Sequence, residues 1–217
     1  YMQAQGRSYG DILAGEMAAK AADFAAAMEE ALVIGNNAAT PKQFDGLITL
    51  AQETSSQIIL QTTAAAGDAF TLEKLDEAID AVKGSGSRSD ILIFASRKGR
   101  RLINAALQSQ QMFNDMTEIA AGFRVRTYDG IPLVTTTGMP DTLTFNGSKV
   151  SAFSGAATTA ICVVNTRDIY IEELTPLTVM PLAKSSSQYD EFDMFADAVL
   201  VAANPLAMSV LVGIDAA

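Results

Sequence analysis

Apolar side chains recur at helical spacing in the first long stretch of the chain. Between Asp11 and Ile34 (DILAGEMAAKAADFAAAMEEALVI) the larger ones, Leu13, Met17, Phe24, Met28 and Leu32, fall at steps of four and seven, with Ala21 between them. That spacing places them on a single helical face. Nine alanines, one glycine and no proline in the same stretch favour helix, over about six turns. Glu16, Asp23 and Glu30 lie away from the apolar face, and Lys20 sits at its edge, where the stem can lie flat and the ammonium reach water. Gly35-Asn36 predicts a left-handed stop. A rod of ~36 Å is long against a radius of gyration of ~17 Å, so this helix is expected to span the molecule.

Residues 1–10 read as an irregular polar arm, and NNAATPKQ after Gly35 as a turn-rich junction ahead of a new element in FDGLITLAQ. QIILQT is a short apolar run. Thr71 is placed to cap a second helix running to about Lys83, with Leu72, Leu75, Ile79 and Val82 on one face and GSGS ending it. DILIFA (Asp90 to Ala95) has no polar alternation and predicts a strand buried on both faces. Ser96 then caps a third helix from Arg97 to about Gln111.

FRVRTY alternates like a half-buried strand, and Asp129-Gly130 predicts a hairpin into IPLVTT. Met139 to Gly155 reads as an ordered but irregular loop with turns at Asp141 and Asn146-Gly147. From Thr159 the chain turns β-rich: ICVVN, DIYIEE and LTVMPLA are strand-like, KSSSQ is a break, and Tyr189–Ala203 and Ala207–Ile214 flank a turn at Asn204-Pro205. The rod and this C-terminal sheet are expected to pack together, with the intervening segment as an inserted lobe. The expected units are 1–46, 47–158 and 159–217.

With 217 residues, 49% of them hydrophobic, the chain can bury a real core. No run approaches the roughly 18 uninterrupted apolar residues of a membrane span. Tyr1 heads no signal-like segment, so the chain is expected to be a fragment or a processed product. Fifteen Lys and Arg against 25 Asp and Glu give a formal charge of −10, which argues against a general nucleic-acid-gripping surface. Arg97, Lys98, Arg100 and Arg101 form the one basic cluster, read as the solvated first turns of a helix.

The single cysteine, Cys162, excludes a disulfide framework within one chain and sits in an apolar run. Histidine is absent, which removes Ser-His-Asp and Cys-His nucleophilic sites and HExxH zinc sites. The Gly84 (GSGSR) and Gly147 (GSK) stretches lack the lysine of a phosphate loop at its required place and read as turns. Asp190, Glu191 and Asp193 could in principle hold a hard cation, but on a strand Asp190 points away from the other two; Glu172 and Glu173 likewise project oppositely. No catalytic, cofactor-binding or metal-binding residue is assigned, and no cofactor is expected.

The order of these elements resembles the major capsid proteins of tailed double-stranded DNA bacteriophages, with the Hong Kong 97-type fold. AMEEALVIGNNAATPKQFDGLITL looks like the family's spine helix and following turn; TLEKLDEAIDAVK, DILIFASRKGRRLINAAL and VRTYDGIPLVTT are similar to its helix, strand, helix and "y-x-G-i-P-v" succession. The resemblance covers most of the chain from Asp11 onward, through soft patterns. It implies an α+β phage capsid fold, with the spine helix and an antiparallel sheet as peripheral domain and an inserted α/β axial domain.

It further implies a non-enzymatic structural subunit that self-assembles into hexamers and pentamers of an icosahedral shell enclosing dsDNA. The expected partners are further copies of the chain, with scaffold, portal and decoration proteins and no membrane; the expected locations are the virion and, before assembly, the bacterial host cytoplasm. Family members carry an N-terminal arm and an extended loop before the spine helix. Only ten residues precede Asp11 here, so those elements are expected to be missing, cleaved or shortened, and no crosslinking residue is carried over. The alternatives are an encapsulin-type nanocompartment subunit and, from another class, a small α+β enzyme, which would need a pocket with converging carboxylates or lysines.

Overall fold

The computed structural model describes residues 12–54, 57–109, 116–120, 123–182 and 191–216. Its helices are α1 (Ile12–Ile34), α2 (Leu47–Glu53), α3 (Leu72–Ala81) and α4 (Arg97–Ser109). Its strands are β1 (Ile58–Leu60), β2 (Ile91–Ala95), β3 (Met116–Ala120), β4 (Phe123–Tyr128), β5 (Ile131–Thr135), β6 (Thr144–Phe145), β7 (Val150–Ala152), β8 (Thr158–Asn165), β9 (Ile169–Pro181), β10 (Phe192–Ala202) and β11 (Met208–Asp215). The KSSSQ break and the acidic Asp190 lie outside the described residues.

A seven-stranded mixed sheet in the order β1-β11-β8-β2-β5-β4-β3 forms the centre. Strand β8 runs antiparallel to both β11 and β2, while β2 and β5 are parallel, with α4, β3 and β4 between them in the chain. All eight residues of β8 are buried, because the strand is covered on both faces. Ala160, Cys162 and Val164 enter one apolar cluster with Leu47, Ile48, Phe145, Met208 and Val210. Ile161 and Val163 enter the other, with Leu75, Ile79, Ile93, Ile103 and Leu211. The unbroken apolar runs AICVV and VLV are therefore two core faces interleaved at period two.

The Asp129-Gly130 hairpin forms as expected, with positive φ at both residues (49° and 77°), as a type I′ turn requires. Ser96 caps α4 through the Gly99 N–H at 2.9 Å. The 139–155 stretch contains more order than expected: β6 and β7 pair around Asn146-Gly147, where the Asn146 side chain accepts from the Ser148 and Lys149 N–H groups.

The fold corrects four expectations. Gly35 does not adopt a left-handed φ. It is glycine because its backbone crosses the chain again: a Cβ there would lie 2.3 Å from the Phe44 carbonyl oxygen, and the Gly46 N–H donates to its carbonyl at 2.9 Å. Thr71 makes no capping hydrogen bond; its hydroxyl instead accepts from Gln61 Nε2. The DIYIEE and LTVMPLA segments are one continuous strand, β9, which runs through Pro176, a residue tolerated because it sits where the β9–β10 register shifts, between the Thr175–Asp197 and Thr178–Phe195 pairs.

The fourth correction concerns the C-terminal strands. They do not form one sheet under the rod: β8 and β11 lie in the seven-stranded sheet beside β1 and β2, while among the described residues β9 and β10 pair only with each other. The boundary at 158 thus falls within one hydrogen-bonded sheet. The rod itself, ~35 Å for 23 residues, joins the core through its last turn, where Ala31 and Val33 are buried. From Ala14 to Glu30 no residue is buried, and Met17, Ala21, Phe24 and Met28 are half-exposed. The expected apolar face is real, and the chain's own body covers it only in part.

Candidate assembly surface

The β9–β10 ribbon is the largest departure from an ordinary globular surface. Thirteen residues of β9 reach ~43 Å. Phe195 pairs with Thr178, Asp193 with Met180 and Val199 with Glu172 on one face; Met194 pairs with Val179 and Leu200 with Ile171 on the other. Both faces are therefore apolar in part. Tyr170, Ile171, Leu174, Leu177, Val179, Met180, Phe195 and Val199 are all exposed.

A register shift where Asp197 faces Thr175 and Ala198 faces Glu173 leaves Leu174 as an extra, unpaired residue, 88% exposed. A bulge of this kind turns a side chain outward. Isolated two-stranded ribbons are marginal in water, and contiguous exposed apolar patches of this kind mark interaction sites. The sequence pattern that encodes this is the absence of alternation in IYIEELTPLTVMPL, the same feature that elsewhere encodes a doubly covered core strand.

The root of the ribbon is held rigidly. Asp168, just before β9, accepts from the Ser85 N–H at 2.6 Å and the Ser85 hydroxyl at 2.5 Å, and these hydrogen bonds hold its carboxyl below the usual range. Asn165 donates to the Ser85 carbonyl and Asn204, just after β10, to the Lys83 carbonyl. A Cβ at Gly84 would meet the Asn165 amide at 2.2 Å and so displace the side chain that makes this clasp. The GSGS stretch, read from sequence as a turn, is the clasp that fixes both strands of the ribbon to the sheet.

The other end of the surface is α1. Glu29 accepts hydrogen bonds from the Thr136 hydroxyl and from the Thr137 N–H (2.8 Å) and hydroxyl (3.0 Å). These, the Thr136 hydroxyl foremost, lower the Glu29 pKa. Gly138 lies against the helix, where a Cβ would come within 2.5 Å of the Glu29 carbonyl oxygen. The helix is thus clamped near its C-terminus and carries its half-covered apolar stripe away from the clamp.

Among the described residues, the acidic side chains singled out in the sequence do not converge on one site. Glu172, Glu173 and Asp197 line an open depression with Leu174 and Val199, but among the described residues no three of His, Cys, Asp and Glu are placed to hold a metal ion. Glu191 and Asp193 are exposed on or beside β10. Cys162 is fully buried and its thiol is pushed up to about 12 by desolvation, so it is an inert core group. No helix among the described residues is long and apolar enough to cross a membrane.

The two-faced ribbon and the clamped, half-covered rod leave apolar surface open to other molecules. The chain is similar in fold to an encapsulin of a holo-SrpI complex from Synechococcus elongatus PCC 7942, at 14% identity with a TM-score of 0.72, covering 97% of this chain and 70% of that one. It is similar to the capsid of an empty GTA particle, at 17% identity and a TM-score of 0.64, covering 98% and 70%. The satellite phage P4 procapsid, determined with its size determination (Sid) protein, matches at 10% identity and a TM-score of 0.56, covering 99% and 67%. No curated protein matches the sequence. The family model of the SU10 major capsid protein matches residues 1–215: the chain has the Hong Kong 97-like fold, belongs to that family and is a phage capsid shell subunit.

Proposed function

We propose that the chain assembles into hexamers and pentamers that close an icosahedral shell around double-stranded DNA. The observation that carries this reading is the ribbon, whose two faces both carry apolar side chains that the rest of the chain leaves exposed. In this reading the seven-stranded sheet with α2, α3 and α4 is the axial lobe near the capsomer axis, and α1 with β9 and β10 is the peripheral unit. The pairing of β8 and β11 with β1 and β2 supports assigning those strands to the lobe.

The formal charge of −10 suits a wall that encloses DNA without gripping it. Scaffold, portal and decoration proteins are the further partners, and the host cytoplasm is the site before assembly. The role is structural, with no catalysis. Light scattering and negative-stain electron microscopy of the purified chain test it. Closed shells or capsomer rings are the expected result; a chain that stays monomeric under every assembly condition overturns the reading.

A further inference from the structure

The axial lobe carries two helices of opposite charge on one face of its sheet. Helix α4 (RKGRRLINAALQS) has four cations and no acid. Gly99, Ile103 and Leu107 face the core; Arg97, Arg100 and Arg101 are exposed and Lys98 is half-exposed. None of the four is ion-paired with a described residue. Placing cations in the first turns of a helix, against the positive end of its dipole, is unfavourable for an isolated chain.

Helix α3 is the complement. Glu73, Asp76, Glu77 and Asp80 fall at i, i+3, i+4 and i+7 and are all exposed, so they form one outward stripe. Lys74 pairs with Glu77 at 2.6 Å and Tyr128 donates to Asp76 at 2.7 Å; Glu73 acts on Lys74 only at longer range, and neither Glu73 nor Asp80 makes a close ion pair with a described residue. Four acids less one lysine give this helix a net charge of −3.

The two helices are neighbours, but no ion pair joins them within one copy. They also sit at different places across the sheet. Helix α3 packs on β11 and β1, toward one edge, and α4 on β2, β5 and β8, toward the other.

We propose that the basic face of α4 docks on the acidic stripe of α3 in a second copy of this chain. Because the two patches differ and lie toward different edges of the same sheet face, one patch of each copy meets the other patch of the next, a head-to-tail contact of the kind that closes into rings when its rotation permits. Opposite charges of nearly equal size set the register of neighbouring lobes, and like charges oppose the wrong one. The proposal rests on the shell reading above.

The test measures assembly of the full chain by sedimentation and electron microscopy. Arg97→Glu with Arg101→Glu, and separately Glu73→Arg with Asp80→Arg, are each expected to weaken association about tenfold or more, and the four changes combined are expected to restore it. These four side chains are exposed, and circular dichroism melting checks that the variants fold. Wild-type association is also expected to fall as salt rises from about 50 to about 500 mM, an arm that needs no variant.

Reversals without effect, or a combined variant no better than either pair, overturn the proposal while leaving the shell reading intact. Reversed α4 that forms normal shells but fails to retain DNA overturns it too, and assigns the patch to phosphate. A wild-type chain that never assembles sinks both readings.

Discussion

Strands β8 and β9 are consecutive, both largely apolar, and meet opposite fates. β8 is buried along its whole length, with each face saturated by a separate core cluster. β9 begins buried at Ile169 and is then half or fully exposed to Pro181. The difference is the number of neighbours. β8 lies between β11 and β2, whereas β9 has β10 alone among the described residues, so the same composition is satisfied within the chain in one strand and left exposed in the next.

The comparison breaks first in the core. Leu211→Ala, at a fully buried position of β11, is expected to lower stability by about 3 kcal/mol through lost burial and a residual cavity. Chemical denaturation of the unassembled chain reads it. A loss under about 1 kcal/mol would mean that the sheet is not packed on both faces. Gly213→Ala follows: φ is +76° and a Cβ would lie 2.9 Å from the Phe145 ring, so a cost of about 1–3 kcal/mol is expected, read the same way.

Glu29→Gln is expected to cost about 1–2 kcal/mol at neutral pH by weakening charge-assisted hydrogen bonds to Thr136 and Thr137. Its folded pKa lies below the ordinary glutamate value of 4.5. The contribution is therefore present above that value and lost as pH falls through the lower folded one. A pH series of melting temperatures should show the gap between wild type and variant closing below pH 4.5; a gap that widens there contradicts the clamp.

The smallest expected effect on folding is in the ribbon. Leu174→Ser, at a bulged and exposed residue, is expected to change stability by less than about 0.5 kcal/mol while reducing assembly measured by light scattering. A variant that melts early instead would place Leu174 in an intramolecular core.

Much of this was legible in the chain. Periodicity marked α1, α3 and α4, and Asp129-Gly130 fixed the β4–β5 hairpin, because those features are local. Pairing was not legible, since apolar runs such as ICVVN and DIYIEE have no local mark of how many strands will flank them. Gly35 was recognisable as a stop, but its reason is a contact with Phe44 and Gly46 that spacing alone does not show. The assembly surface stayed hidden for the same reason: on paper an exposed apolar strand and a doubly buried one look alike, and only the sheet order separates them.

The most direct measurement is thiol labelling of Leu174→Cys before and after assembly, with Cys162 silent because it is fully buried and its thiol is pushed up to about 12. The account predicts fast labelling in the free chain and strong protection in the assembled particle. Equal labelling in both states would contradict the claim that the ribbon's apolar surface is covered by neighbouring copies.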